Sequence, residues 1–351
     1  MKKIITLVGA RPQYIKEAML NKALAKTDIQ EVLVNSGQHY DYNMSDIFFK
    51  HLNIKQPDYN LNVGSGKHGE MTGKIMTEFE KVVEKEKPDM VIVFGDINTT
   101  LAGALVTRKC KISLGHVEAG LRMLPSDMPE EINRVVTDRI ANLLFVPSQV
   151  CMNNLKKENI TKGAYLTGDI TYDLFLHSKN FFNLKLKDSL GLSNNEYVLC
   201  TIHRDYNVDN KEILEKILKQ LTKINKEERV VLPMHPRTKK RVEDFGLSQL
   251  LSELLILEPI GYFDLMGLLQ DCAFVITDSG GFQKEAYFAK KRSFVVMPDT
   301  GWTELLDLGL NVLCNENNLY EQINLEKTYE YVPDIYGDGT AAEKIVDILL
   351  P

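Results

Sequence analysis

Short apolar runs rich in β-branched residues alternate with helix-like segments along the chain, and this alternation constrains the fold more than any other feature. The segment 70–85 repeats apolar residues every three or four positions, as an amphipathic helix does. Strands that alternate with helices need crossover connections, which predicts an α/β fold with parallel sheets. The first series of predicted strands covers residues 4–8, 31–35, 90–94, 112–115, 143–146 and 164–166.

A second series of predicted strands follows a more polar stretch at 180–196. The chain has 351 residues, a length that suits two domains. We predict two Rossmann-like, doubly wound domains at 1–170 and 190–339. Ligands of such folds lie at the carboxyl ends of the strands, which places the expected active site in the interdomain cleft. The second series covers residues 197–202, 229–233, 254–257, 274–277 and 293–297.

Bulk composition excludes several classes of protein. The formal net charge of −6 argues against a general nucleic-acid binder. No apolar stretch approaches the roughly 20 residues that span a membrane, and the short N-terminal apolar run indicates a strand rather than a signal peptide. The five cysteines lie far apart without a Cys-x-x-Cys pair, which indicates reduced thiols and a cytoplasmic protein.

The densest group of charges lies just after the fourth predicted strand. Glu130 and Arg134 are four residues apart on a helix that Pro129 would open, so they should share one face. A solvated loop with surface ion pairs is the alternative, but Glu118 follows a strand that looks buried. Such acids could move protons and such arginines could hold phosphate, as a sugar-nucleotide enzyme requires. The group spans the segments 115–122 (GHVEAGLR) and 128–134 (MPEEINR).

Two further strand ends in the first half carry candidate residues. Arg11 and Lys16 bracket a Gly-Ala-Arg-Pro turn at a helix start, which is either an anion site or an ordinary turn. Asp96 follows the third predicted strand and is either a helix cap or a catalytic acid. His116, within the charged segment, is interpreted as a hydrogen-bonded core histidine.

Strand ends in the second half carry a different set of residues. His203-Arg204 and His235-Pro-Arg237 follow two successive strands, which is not a packing pattern; metal binding is disfavoured because the spacing is loose and no cysteine accompanies them. A helix start with two glycines could bind phosphate through backbone N–H groups, and Glu285 further along could accept from ribose hydroxyls. The alternative is a plain capped turn. The phosphate-binding candidates are Ser279, Gly280 and Gly281.

Together these motifs resemble the non-hydrolysing UDP-N-acetylglucosamine 2-epimerases, in order and spacing, over nearly the whole chain. The resemblance implies a GT-B-type pair of Rossmann-like domains, with the last helix (340–351) packing back on the first domain. It implies a UDP-sugar substrate, no metal and no nicotinamide cofactor, and commonly a homodimer. The implied reaction is anti-elimination of UDP to a 2-acetamidoglucal, followed by re-addition on the other face.

The resemblance also implies roles by position. The acid/base carboxylates around the sugar would be Asp96, Glu118 and Glu130, with Arg134 positioning Glu130 or contacting the substrate. The groups holding or activating the diphosphate would be Arg11, Lys16 and His203. Further binding residues would be Arg204, His235, Ser279, Gly280, Gly281 and, at the ribose, Glu285.

Two segments depart from the family pattern. In 297–304 (MPDTGWTE), Met297 and Gly301 replace an expected arginine and glutamate, and 37–44 (GQHYDYNM) lacks the arginine of an allosteric site. The second segment resembles relatives that act on modified sugars such as UDP-2,3-diacetamido-2,3-dideoxyglucuronate, which is one alternative substrate. The sequence also leaves open a glycosyltransferase of the same fold and a non-catalytic regulator that binds a sugar nucleotide. Against the regulator, a binder gains nothing from three desolvated carboxylates beside a diphosphate.

Overall fold

The computed structural model describes residues 2–37, 54–325 and 329–350. The chain divides into two compact units, and each contains a parallel sheet flanked by helices. Unit 1 comprises Met1–His177 and Asp334–Pro351, and unit 2 comprises Ser178–Pro333. The predicted α/β class with two Rossmann-like sheets is confirmed.

Within the described residues, unit 1 has a seven-stranded sheet in the order β3-β2-β1-β4-β5-β6-β7. The strand order changes direction between β1 and β4, which is the position where such folds bind ligands. The bounds are β1 Lys3–Val8, β2 Gln30–Asn35, β3 Tyr59–Asn60, β4 Met90–Phe94, β5 Ser113–Val117, β6 Leu143–Val146 and β7 Ala164–Leu166.

Helices cover both faces of this sheet and bury its β-branched residues. Phe79 and Val83 pack with the strand residues Leu7, Val91 and Val93 in one apolar cluster, all of them almost fully buried. The helices are α1 Arg11–Leu24, α2 His68–Glu86, α3 Asn98–Lys109, α4 Pro129–Ile140, α5 Gln149–Lys157 and α6 Ile170–Ser178.

Unit 2 repeats the architecture with a sheet of six described strands in the order β10-β9-β8-β11-β12-β13. Their bounds are β8 Tyr197–Thr201, β9 Arg229–Pro233, β10 Leu255–Leu257, β11 Val275–Thr277, β12 Ser293–Val296 and β13 Asn311–Cys314. The helices are α7 Leu186–Ser189, α8 Asp205–Val208, α9 Lys211–Ile224, α10 Pro236–Asp244, α11 Tyr262–Asp271, α12 Gly280–Phe288, α13 Thr303–Asp307 and α14 Leu319–Asn324.

The last helix, α15 (Ala341–Leu349), belongs to unit 1 and packs against α1. The Asp173 carboxylate accepts from the backbone N–H groups of Ala341 (3.1 Å) and Ala342 (2.7 Å), which satisfies two donors that the helix start leaves unpaired. Burial raises the pKa of Asp173 to about 6, although these two hydrogen bonds oppose the shift. The buried Asp173 carboxyl group thus anchors the start of the last helix to unit 1.

Three elements differ from the prediction. β5 extends to Val117, beyond the predicted end at 115, because Val117 still pairs with Phe94 of β4. β3 has two residues, too few for a periodic signal, and β13 was not predicted as a strand. Of the predicted departure at 37–44, all but Gly37 lies outside the described residues.

Candidate functional site

The first candidate group lies where β1, β4 and β5 end and the chain turns into helices. Strand register brings these ends together, because Leu7 pairs with Val93 and Phe94 pairs with Val117. Pro12 occupies the first turn of α1, as predicted. Gly9 is required before it, since a Cβ atom there would lie 2.2 Å from Thr99 Oγ1.

Lys16 and Glu118 form the centre of this group. Lys16 Nζ lies 2.8 Å from Glu118 Oε2, and the two side chains are only 10% and 12% exposed. A Cβ atom placed on Gly95 would lie 3.7 Å from Glu118 Oε1 and 3.8 Å from Lys16 Nζ, so this ion pair abuts the loop that carries Asp96. A cation from α1 therefore contacts a carboxylate that follows β5.

The backbone at Glu118 is in the left-handed region, with φ +72°. For a residue with a Cβ atom this conformation costs about 1–2 kcal/mol, so the surrounding structure has to hold it. The Glu118 and Ala119 N–H groups both donate to Phe145 O, at 3.2 and 3.1 Å. A residue with a strained backbone that neighbouring strands hold in place is a common feature of functional sites.

Asp96 contacts Arg134 rather than capping the helix that follows it. The Arg134 guanidinium donates to Asp96 Oδ2, while Ile97 is the N-cap residue of α3 and makes no side-chain cap bond. This observation rejects the capping alternative. Asn133 Nδ2 also donates to the Asp96 carbonyl at 2.8 Å, so the loop is held by two side chains of α4.

Arg134 forms ion pairs with Glu131 and Asp96. Arg134 Nη1 donates to Glu131 Oε2 at 2.8 Å, three residues back along α4, while its other nitrogen contacts Asp96. Residues three or four positions apart lie on the same face of a helix, so both Glu130 and Glu131 are within reach of Arg134. The contact of Arg134 with Asp96 favours Glu131 as its partner. Burial lowers the pKa of Arg134, but the two carboxylates outweigh it and the pKa lies above its usual value.

Arg122, from the same charged segment, lies 3.9 Å from Glu131 Oε1 and connects this group to a second network. Its guanidinium contacts Asp138 Oδ2 at 2.8 Å and Glu158 Oε1 at 2.6 Å. His116 is fully buried and hydrogen-bonded to Asp138 and to the Gly95 carbonyl, as expected of a core histidine. This network lies beneath the turn that carries Glu118.

In unit 2 the candidate residues surround one buried carboxylate, Asp278, which is fully inaccessible to solvent. Thr201 and Thr277 are register partners and share a 2.7 Å hydrogen bond, so the residues after β8 run beside those after β11. Asp278 accepts from the backbone N–H groups of His203 (2.9 and 3.0 Å) and Arg204 (2.8 Å). Sequence reasoning missed this residue, because its partners lie more than 70 positions away along the chain.

The two predicted histidines lie close together. Their ring centroids are 5.4 Å apart, and His203 Nδ1 is 3.2 Å from Asp278 Oδ1. Burial lowers the pKa of His203, assisted by Arg204, His235 and Arg237 and opposed by Asp278. Burial also lowers the pKa of His235, whose Nδ1 caps α10 by accepting from the Arg237 N–H at 3.1 Å.

The glycine pair lies at the start of α12, which Ser279 caps through a 3.4 Å bond to the Phe282 N–H. A Cβ atom on Gly281 would meet nothing within 4 Å. Its φ is also not positive, so neither internal packing nor backbone conformation demands glycine here. Close approach of a ligand to the helix N-terminus is the remaining physical reason. Glu285 lies further along the same helix, half-buried.

Trp302 was not predicted to contact this loop. It belongs to segment 297–304, which departs from the family pattern and is called the departure segment below. Its indole N–H donates to the Gly280 carbonyl at 2.9 Å, and Lys284 Nζ lies 4.1 Å from its ring centroid. Met297, at the position of the expected arginine, accepts from Gln283 Nε2 through its sulfur at 3.3 Å. The departure segment therefore packs on the glycine loop.

Two further features bear on function: clusters of metal-binding side chains and membrane-spanning helices. The described ranges contain no cluster of three or more His, Cys, Asp or Glu side chains arranged to hold a metal ion. No helix in them is long and apolar enough to cross a membrane.

Comparison with known proteins gives a consistent result. A family model described as UDP-N-acetylglucosamine 2-epimerase matches residues 22–350. The chain is 41% identical to UDP-2,3-diacetamido-2,3-dideoxy-D-glucuronate 2-epimerase of Pseudomonas aeruginosa, with 99% of each chain covered. It is also 41% identical to UDP-N-acetylglucosamine 2-epimerase of Methanocaldococcus jannaschii, covering 99% of this chain and 98% of the relative.

The fold agrees with that relationship. A crystal structure of the M. jannaschii UDP-GlcNAc 2-epimerase, in complex with UDP-GlcNAc and UDP, superposes with a TM-score of 0.87 at 40% identity. The alignment covers 99% of each chain. The chain therefore belongs to the UDP-N-acetylglucosamine 2-epimerase family.

Proposed function

We propose that the protein is a UDP-sugar 2-epimerase that interconverts UDP-N-acetylglucosamine and UDP-N-acetylmannosamine. The observation that carries this proposal is the partly buried Lys16–Glu118 pair on a strained turn, beside the loop that presents Asp96. A protein that only binds nucleotide has no use for a strained carboxylate at this place. The chain's membership of the epimerase family supports the same reaction.

The proposed chemistry begins with departure of the diphosphate. The proton at C-2 is not acidic, so cleavage of the C-1–oxygen bond has to run ahead of its removal and needs a stabilised leaving group. We assign that stabilisation to Arg11, Lys16 and His203. UDP leaves with the bonding electron pair, a carboxylate takes the C-2 proton, and a 2-acetamidoglucal results.

Re-addition of UDP to the glycal then completes epimerisation. A proton is delivered to C-2 from the opposite face while the diphosphate oxygen re-forms its bond to C-1. We assign the proton transfers to Glu118, Asp96 and Glu130. Arg134 orients Asp96 through its direct contact.

The second group binds the nucleotide. We propose that backbone N–H groups at Ser279, Gly280 and Gly281 hold phosphate, because Gly281 leaves the helix N-terminus open to close approach. Glu285 would accept hydrogen bonds from the ribose. Arg204 and His235 would add positive charge or hydrogen-bond donors beside the diphosphate.

A second substrate has a specific observation in its favour. The relative from P. aeruginosa, named for a diacetamido glucuronate, is as similar to this chain as the M. jannaschii enzyme. The residues Met297 and Gly301 also depart from the usual sugar-binding segment. The same 2-epimerisation on a diacetamido uronate is therefore the alternative, and a glycosyltransferase activity has no comparable support.

We further propose a homodimer that supplies an activated amino sugar for polysaccharide synthesis in the cytoplasm. The family resemblance supports the dimer, and the five free thiols fit a reducing compartment. Light scattering of the purified protein at micromolar concentration gives the mass of one or two chains and so tests the dimer.

The test of function is product analysis by NMR and chromatography with each UDP-sugar in turn. Formation of UDP-N-acetylmannosamine from UDP-N-acetylglucosamine supports the main proposal. Release of free N-acetylmannosamine and UDP would identify a hydrolysing enzyme. Turnover of the diacetamido uronate alone would transfer the same chemistry to the alternative substrate.

A further inference from the structure

The network beneath the Glu118 turn contains a buried histidine with both ring nitrogens engaged. His116 Nδ1 lies 2.7 Å from Asp138 Oδ1, and Nε2 lies 2.8 Å from the Gly95 carbonyl oxygen. Both side chains are fully buried. The histidine belongs to β5, the aspartate to α4, and the glycine to the loop after β4.

Hydrogen-bond chemistry fixes the charge of this histidine. A carbonyl oxygen can only accept, so Nε2 must carry a proton. A carboxylate can only accept as well, so Nδ1 must also carry one, and the ring is then an imidazolium. The alternative, a neutral ring beside a protonated Asp138, would place the Arg122 guanidinium against an uncharged carboxyl group and lose a buried ion pair. Asp138 Oδ2 accepts from Arg122 Nη1 at 2.8 Å and from the Gly120 N–H at 3.0 Å.

The electrostatics agree with an ionised Asp138. Burial alone would raise the pKa of this carboxyl, but His116 and Arg122 outweigh burial and hold the pKa below its ordinary value. The charged groups that face His116 are thus Asp138 from α4 and, through it, Arg122 from the segment after β5. Among the residues that the structure describes, the other polar contact of the ring is the Gly95 carbonyl.

One carboxylate therefore connects two catalytic loops. Through Oδ1 and His116 it holds the Gly95 carbonyl, immediately before Asp96. Through Oδ2 it holds the Gly120 N–H, two residues after Glu118. Glu118 has a positive φ of +72°, which is strained for a residue with a Cβ atom, so its turn depends on external contacts to keep its conformation.

We propose that Asp138 and His116 are a positioning pair that keeps Asp96 and Glu118 in register, with His116 donating a hydrogen bond from each ring nitrogen. Neither ring nitrogen of His116 can reach a substrate, so the pair acts through the loops and not on the reacting atoms. The inference deepens the proposed epimerase function and rests on it for its effect on catalysis. Its claim about the charge of His116 stands independently of that function.

The charge state is tested directly by NMR of the wild-type protein labelled with ¹⁵N-histidine. We expect two ring N–H signals from His116, assigned by their absence in His116→Gln. A single ring N–H signal would overturn the assignment of two donors. This measurement needs no variant to be active, and a wild type without turnover on any UDP-sugar would reject the proposed function while leaving this result valid.

The positioning role is tested with Asp138→Asn, which keeps the size of the side chain but removes its charge. We expect kcat to fall on the order of a hundredfold, as for an ångström-scale misplacement of catalytic groups, while KM and the affinity for UDP stay within about twofold. The matched control is Glu158→Gln, which breaks the outer partner of Arg122 and leaves the pair intact. A folded Asp138→Asn protein with wild-type kcat would reject the role.

If Asp138→Asn does not fold, His116→Gln supplies the same test. A glutamine amide can still donate to the Gly95 carbonyl, so a partial return of kcat relative to His116→Ala is expected. Equal kcat for His116→Gln and His116→Ala, both folded, would contradict positioning through the Gly95 carbonyl.

Discussion

The two groups of candidate residues are built differently, although each lies at the strand ends of a Rossmann-like sheet. In unit 1 the charged side chains form ion pairs with one another. Lys16 pairs with Glu118, and Arg134 pairs with Asp96. In unit 2 one buried carboxylate, Asp278, organises the backbone of the histidine loop, and the helix of the glycine loop begins two residues after it. The first arrangement suits proton transfer, which needs ionised groups in fixed positions, and the second suits binding of an anion by backbone N–H groups.

The two groups also differ in how firmly their side chains are held. Glu118 and Asp96 are fixed by strand register, ion pairs and a strained turn. His203 is about a third exposed at its side chain, and its pKa is displaced by its surroundings. We therefore expect substitutions of the unit 1 carboxylates and their partner Arg134 to alter turnover or folding, and substitutions in unit 2 to alter the affinity for UDP and its pH dependence.

The largest effect should come from Glu118→Gln. Loss of a general acid or base lowers kcat by about 10²–10⁴-fold, and the UDP affinity measured by calorimetry should stay near the wild-type value. The exposed Glu70→Gln, on the surface of α2, is the matched control and should behave as wild type. Lost UDP affinity in Glu118→Gln would assign this residue to binding and break the division between the units.

Arg134→Ala should act mainly on stability. Removing the guanidinium takes the 2.8 Å contact from the buried Glu131, which keeps a longer one to Arg122, and takes the ion pair from Asp96; the loss should cost about 3 kcal/mol in the free energy of unfolding. Urea denaturation measures this loss, with the exposed Arg139→Ala on the same helix as the control. A loss equal to that of the control would show that these carboxylates do not depend on Arg134.

Glu285→Ala should weaken nucleotide binding by at least about tenfold, since a carboxylate that accepts from ribose hydroxyls makes strong, charge-assisted bonds. Turnover at saturating substrate should change little. Calorimetry with UDP and with UMP gives the loss for each nucleotide, and equal losses are expected because both contain the ribose. Unchanged UDP affinity with collapsed turnover would reject the ribose assignment.

The smallest effect should be the pH dependence that His203 gives to UDP binding. Its pKa in the free protein lies below the usual 6.5, and a bound diphosphate would raise it. Binding then takes up a proton between those two pKa values, so affinity rises as pH falls, by up to about tenfold per pH unit. His203→Gln should flatten this slope, and subtracting the two curves removes the titration of UDP itself. Identical slopes would exclude the histidine from the phosphate site.

Sequence patterns predicted the local parts of both groups but not their long-range partners. The glycine loop, the helix that begins at Pro129 and most strands follow from periodicity and capping signals. Arg134 pairs with Glu131 because of where Asp96 lies, and the pairing of β4 with β5 sets the position of Asp96. The role of Asp278 likewise requires knowing that β8 and β11 are neighbours. Register between distant strands carries no local signal, so these contacts needed the structure.

The central claim, that the unit 1 carboxylates exchange the C-2 proton of a UDP-sugar, is tested most directly by NMR in D₂O. We predict that the wild type incorporates deuterium at C-2 of both UDP-N-acetylglucosamine and UDP-N-acetylmannosamine, and that Glu118→Gln incorporates it at least about a hundredfold more slowly, in line with the loss of a general acid or base. Interconversion of the two sugars without deuterium at C-2 would contradict proton removal altogether. Undiminished incorporation in Glu118→Gln would contradict the role of that residue.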